Sequence, residues 1–296
     1  MLAQEEKMTI SQPVGIIGKA FVDGLKDILG EKLYGAYIYG AAAFPDTLPT
    51  NDIDFHVILK DKLTDNERSQ LERLHGSLAK KYPPMGGELD GYYLLLKDAL
   101  QSSPPKSQMR KRATDNSWAL HREHILAGRY ILLFGPHPKE IYPPATWPEI
   151  KTALDGELDY VEKHWQDYPD YCILNLGRLI YSFQTRDVVV SKAKAADWAC
   201  KALPRWKRHI NLARKSYARQ ATPKDKQFML AEVGKFLEFA KERIEEVSQN
   251  TPTIGRERAN PRAFSKLHLG LGFKIPAEVK KSHLPRERSV GRRGKE

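Results

Sequence analysis

The hydrophobic spacing of this 296-residue chain changes character once, and that change limits its folds more than any other feature. Every strand-like run lies before about residue 135. Leu33–Tyr39 is a short apolar run ended by Gly40. Asp52–Leu59 alternates polar and apolar before turning fully apolar. Leu89–Leu96 reads as another strand, and residues 130–134 form a last short apolar run. Helical spacing separates them at 13–30, where Ile16, Ile17, Phe21, Leu25 and Leu29 form a stripe, and at 64–82. From residue 149 onward only helical spacing remains, over 149–166, 171–185, 192–203, 205–219 and 224–248. The expected fold is α+β: an α/β domain with a mixed sheet over 1–148, a C-terminal α-helical bundle over 149–250, and a tail over 251–296.

Charge sharpens the division. The formal net charge is +11, but the 46 residues of the tail carry +8 of it and the remainder only +3. A basic nucleic-acid-binding body is therefore not expected, although the tail could meet polyanions. Its Pro, Gly and Arg content reads as loose chain. The two cysteines, Cys172 and Cys200, are too few for a disulfide scaffold or a four-cysteine zinc site. They read as reduced thiols of a cytoplasmic protein. No apolar run reaches membrane-spanning length, so no membrane partner is expected, and the start does not read as a signal peptide.

The chemistry concentrates between Gly40 and Asp54, in GAAAFPDTLPTNDID. Strand alternation puts Asp52 and Asp54 on one face, about 7 Å apart along the strand. Paired carboxylates repel unless a cation lies between them, and oxygen ligands completed by water and phosphate suit Mg²⁺. The small residues Gly40 and Ala41 would let backbone N–H groups approach a triphosphate. Two-metal phosphoryl chemistry needs a third acid. Asp90 is the candidate, to accept a proton from an acceptor hydroxyl or to orient it, and Glu88 shares its strand parity and stands as backup.

Other residues invite weaker readings. His121, Glu123 and His124 in HREH lack the spacing of a helical zinc motif. His56 shares the Asp52/Asp54 face and reads first as a strand histidine. Ser191 reads as the N-cap of a helix, and a lysine just after it, Lys192, opposes the helix dipole unless an anion sits there. Trp198 and Trp206 read as core or cleft wall. Arg178 alone reads as a surface charge paired with Asp170 or Asp187.

A strand, Gly-small, a dozen residues, Asp-x-Asp and an acid on a later strand is the pattern of the nucleotidyltransferase superfamily with the polymerase-β-like fold. YIYGAAAFPDTLPTNDIDFHVIL resembles its first motif. RYILLFGPHPKEIYPP and ILNLGRLIYSFQTRDVVVSKAKAADWACKALP resemble the connector and helical domain of the aminoglycoside 3''-adenylyltransferases, the streptomycin and spectinomycin resistance enzymes. The resemblance spans about residues 14–249. It implies an adenylyltransferase that moves AMP from ATP to a hydroxyl of a small polyhydroxylated, aminoglycoside-like acceptor, and the chain is expected to be a monomer. Asp52 and Asp54 would hold Mg²⁺, with two ions expected. Asp90 would be the base, and Arg178, Lys192 and Tyr217 would contact ATP from the helical domain. A protein or RNA acceptor, and a non-catalytic nucleotide-binding module, are the alternatives. Three departures stand out: Ala41 replaces the usual Ser, Asp90 replaces a Glu, and the acids that grip cationic drugs do not align, Asp167 and Asp170 being merely nearby.

Overall fold

The computed structural model of the chain describes residues 11–109 and 113–249. The basic tail expected over 251–296 lies outside the described residues. Helix α1 (Gln12–Leu29) starts with Pro13 in its first turn and ends at Gly30. Its buried stripe is Val14, Ile17, Phe21, Val22, Leu25 and Leu29, at helical spacing. Ile16, assigned to that stripe from sequence, is 48% exposed. Strands β1 (Leu33–Tyr39) and β2 (Ile53–Leu59) follow, then α2 (Asp65–Lys81), β3 (Leu89–Leu95), the single turn α3 (Leu96–Ala99), α4 (Trp118–Leu126) and β4 (Ile131–Phe134).

The four strands form one mixed sheet in the order β3-β2-β1-β4. β1 pairs antiparallel with β2 and with β4, and β2 pairs parallel with β3. Both faces are covered, which is why β1 and β2 are buried along nearly their whole lengths. Phe55, Val57 and Leu59 of β2 pack against Phe21 and Leu25 of α1 and Leu71 and Leu78 of α2. The opposite face meets α4: Tyr37, Tyr39, Ile58 and Leu94 pack with Trp118 and Ile125. Period-two alternation therefore assigns Asp54, His56 and Ile58 to the α4 side. α4 has no polar face to betray it in sequence, since Trp118, Ala119, Leu120, Arg122, His124 and Ile125 are all buried.

The remainder of the described residues is mainly helical: α5 (Trp147–His164), α6 (Pro169–Thr185), α7 (Lys192–Ala202), α8 (Lys207–Tyr217) and α9 (Pro223–Gln249). Thr146 and Glu149 make a capping box at the start of α5. α6 is the central helix, buried on almost every side from Asp170 to Phe183, and it packs on α5, α7, α8 and α9. Trp206 stacks on Phe236 of α9 with ring centroids 4.7 Å apart, which makes it core. Ala119 and Leu120 of α4 join this helical core, so α4 ties the sheet to the bundle. Among the described residues no helix is long and apolar enough to cross a membrane.

Phe236 is fully buried and Leu230, on the same helix, is 46% exposed. Phe236→Ala is expected to cost about 3–5 kcal/mol, and Leu230→Ala less than ~1 kcal/mol. Urea unfolding of the two variants checks the assignment of α9's buried face.

Candidate functional site

The strand ends of the sheet and the helical bundle face each other across a cleft. Tyr39, Gly40, Ala41, Asp52 and Asp54 line it on one side, and Glu157, Tyr171, Arg178, Lys192 and Tyr217 on the other. Backbone geometry sets the first side. Tyr39 is the register partner of Asp54 in the antiparallel pair, so the turn leaving β1 lies beside Asp54. Gly40 has φ +68°, and a Cβ there would lie 1.8 Å from Asp54 Oδ2. Only glycine satisfies both the left-handed backbone and the approach of the carboxylate. The turn Gly40–Ala43 then closes with Phe44 N–H donating to Ala41 O at 3.2 Å.

Asp52 sits just before β2. The Thr50 hydroxyl donates to its Oδ2 at 3.1 Å and accepts from its backbone N–H at 3.1 Å. Asp90 on β3 is level with Asp54 in the parallel register. Glu88, equal in parity from sequence, lies outside the strand, and its carbonyl accepts from Ile53 N–H at 3.0 Å. Register thus separates the two acids where parity did not. Burial, with Asp52 beside it, pushes Asp54 up to about 7; Asp90 adds to the rise while His121 and Lys192 oppose it. This donor set is carboxylate oxygen alone, crowded enough that one member resists ionisation. That is what a site for a hard divalent cation requires, and Asp52 and Asp54, with Asp90 alongside, fit Mg²⁺.

The facing side is cationic and aromatic. Lys192 begins α7, whose N-cap is Ser191, with Ser191 Oγ accepting from Lys194 N–H at 3.1 Å. Burial, and then the Arg178 cation, bring Lys192 down to about 8. Its Nζ lies 3.5 Å from Tyr217 Oη and 4.5 Å above the Tyr171 ring. Arg178 approaches Glu157 at 3.9 Å, not Asp170 or Asp187. Asp187 accepts from Tyr181 Oη at 2.9 Å. Two cations held close together in partial burial repel, and an anion between them relieves that cost.

The acids near the expected drug-gripping positions do not reach the cleft. Asp170 is buried and accepts from Ser216 Oγ at 2.6 Å, joining α6 to α8, and Asp167 is exposed. Glu157 is the acid on the bundle side of the cleft. It accepts from Ser117 Oγ at 2.7 Å and lies 3.4 Å from Asn175 Nδ2. Sequence reasoning missed it because its partners come from α4's approach and from α6. The HREH residues separate. Glu123 accepts from Ala145 N–H at 2.8 Å, His124 Nε2 meets Val188 O at 2.7 Å, and His121 Nδ1 lies 2.9 Å from Asp115 Oδ2. Burial works against the charge on Asp115, but His121 and His56 outweigh it and hold that carboxyl below the usual carboxylate range.

A raised folded-state pKa means that the folded protein binds the Asp54 proton more tightly than the unfolded chain does. Stability is therefore present at low pH and is lost as pH rises from about 4 towards 7. With the cleft open to water, the penalty above that window is on the order of 2 kcal/mol. Metal-free Asp54→Asn protein is expected to be more stable than wild type at pH 8 and equal to it near pH 4. Thermal unfolding at the two pH values measures this.

Residues 133–243 match the family described as the C-terminal domain of aminoglycoside adenylyltransferase. Spectinomycin 9-adenylyltransferase of Campylobacter jejuni is 25% identical over 248 residues, covering 74% of this chain and 91% of that protein. The enzyme of the same name from Staphylococcus aureus (strain Mu50 / ATCC 700699) is 25% identical over 223 residues, covering 65% and 81%. Among solved structures, spectinomycin adenyltransferase AAD(9) from Enterococcus faecialis, crystallised with ATP and spectinomycin, superposes with a TM-score of 0.64. It is 17% identical and covers 78% of this chain and 99% of that one, so it shares the α+β fold described above. The matched segment and the relatives support an aminoglycoside adenylyltransferase-like reading of the chain, and the solved structure shares its fold.

Proposed function

We propose that this protein transfers AMP from ATP to a hydroxyl of a small polyhydroxylated acceptor of the aminoglycoside–aminocyclitol class, with Mg²⁺ at Asp52 and Asp54. The observation that carries the reading is one cleft with acids on its sheet side and Lys192, Arg178 and Tyr217 on its helical side. A metal-bound triphosphate carries both kinds of complement: metal for the carboxylates and phosphate oxygens for the cations.

In this reading Lys192 Nζ and the Arg178 fork donate to triphosphate oxygens, and Tyr217 Oη holds Lys192 in place. The backbone N–H groups of the Gly40–Ala43 turn approach the phosphates, where the Ala41 side chain offers no hydroxyl of its own. Asp90, level with Asp54 and open to solvent, accepts the proton of the acceptor hydroxyl. The acceptor oxygen forms its bond to the α-phosphorus as the bond to the β-phosphate oxygen breaks, and pyrophosphate leaves. Bound Mg²⁺ supplies charge neutralisation on the phosphates. Glu157, beside Arg178 and Ser117, is the acid available to an ammonium group of the acceptor. The named relatives act on spectinomycin, which makes that drug the first acceptor to test.

The test is pyrophosphate release from ATP and Mg²⁺ with a panel that includes spectinomycin and streptomycin. Release should require an acceptor and stop with a chelator of Mg²⁺. Asp54→Asn should lower kcat/KM about 10³-fold. Lys192→Ala should raise KM for ATP by about 10- to 100-fold. Activity that survives Asp54→Asn would sink the site assignment. ATP binding without release for any member of the panel would sink the acceptor class.

A further inference from the structure

One layer below the carboxylates, on the same face of the sheet, lies a cluster the proposed reaction does not use. His56 of β2, Asp115 before α4 and His121 of α4 bring one ligand atom each to within 4.8 Å of the others. We propose that these three residues form a second metal site, distinct from the Asp52/Asp54 pair and selective for a borderline transition ion, zinc first.

The distances carry the argument. His56 Nε2 is 3.3 Å from Asp115 Oδ2, yet the atom makes no hydrogen bond. Two ligands of one tetrahedral zinc, each about 2.0–2.1 Å from the ion, sit about 3.3 Å apart. His121 Nδ1 approaches the same oxygen at 2.9 Å. Asp115 Oδ1 also lacks a partner. The His56 and Asp115 side chains are 0% and 1% exposed, so bulk solvent does not reach these two atoms. A cation coordinated between the three groups would satisfy both of them.

The surroundings suit such an ion. A ligating histidine usually has its second ring nitrogen fixed by an outer partner, and His56 Nδ1 lies 3.3 Å from Tyr142 Oη. The rings of Tyr39, Trp118 and Tyr142 pack around His56 with centroids 4.4, 5.5 and 5.9 Å away, giving the ion a dry wall. Asp115 is held by its backbone, with its N–H donating to Pro105 O at 3.0 Å and its carbonyl accepting from Trp118 N–H at 3.1 Å. His121 also lines the cleft and is 22% exposed, which gives an ion its way in and leaves a fourth position for water. Two imidazoles and one carboxylate favour Zn²⁺ over Mg²⁺, whereas Asp52 and Asp54 offer oxygen only and favour the reverse.

The full chain, stripped with a chelator and passed through a desalting column, is given one equivalent of Zn²⁺ or Co²⁺ and filtered again. Wild type should retain about one ion per chain, and the cobalt form should show the intense visible bands of a four-coordinate site. His121→Gln and Asp115→Asn should weaken retention at least tenfold, while Asp54→Asn should retain the ion as wild type does. Circular dichroism checks that each variant is folded. If Asp115→Asn is not, His121→Gln decides alone, because that side chain reaches the cleft. A wild-type chain that holds no ion, or a folded His121→Gln chain that holds as much as wild type, overturns the proposal. Neither result touches the adenylyl-transfer reading, which rests on other residues.

Discussion

The contact between Gly40 and the Asp54 carboxylate organises the rest of the site. It exists because β1 and β2 pair antiparallel with Tyr39 opposite Asp54, which brings the turn after β1 against the first residues of β2. No side chain fits between them, and the backbone at Gly40 is left-handed. From this one approach follow the tight Gly40–Ala43 turn and the crowding around the Asp54 carboxylate. The parallel pairing of β2 with β3 then brings Asp90 level with Asp54. The core behind the sheet, from Phe21 to Leu78, fixes that register, because a one-residue slip would turn Phe55, Val57 and Leu59 to the wrong face.

Each half of the cleft carries an excess of charge of one sign, with Glu157 beside Arg178 the exception on the bundle side. On the sheet side, burial and Asp52 push the Asp54 carboxyl up to about 7. On the bundle side, burial and Arg178 bring Lys192 down to about 8. Neither arrangement serves the stability of the isolated protein, and both are what a ligand with a cation at one end and phosphates at the other would relieve. α4 holds the halves in relation, with Trp118 and Ile125 in the sheet core and Ala119 and Leu120 in the helical core. Its His121 enters the cleft and its Glu123 anchors the chain leading into α5.

Much of this was legible in the sequence because the information is local. Helical spacing located α5 to α9 to within two residues, since each presents a continuous apolar stripe to one core. The Asp52/Asp54 pair stood out because strand alternation is a two-residue rule. What sequence could not supply was pairing between distant segments. Asp90 and Glu88 share parity, and only the parallel register distinguishes them. Arg178 turned to Glu157 on α5 and not to Asp170 or Asp187 on its own stretch of chain. Asp170 was drawn away to Ser216. His56, Asp115 and His121 come from three segments and share one pocket of aromatic rings, which no spacing within HREH could indicate. Ile16 was misassigned because five apolar residues near α1's start compete for one stripe, and Val14 took the buried place.

The most direct test of a cleft with a metal half and a phosphate half is the affinity for ATP measured as a function of Mg²⁺ concentration. The account predicts that wild type binds more tightly as Mg²⁺ rises and that Asp54→Asn loses this dependence. Lys192→Ala should keep the dependence at weaker affinity throughout. An Asp54→Asn protein whose ATP affinity still rises with Mg²⁺ as wild type's does would contradict the account, because the ion would then be held by something other than the carboxylates at the strand ends.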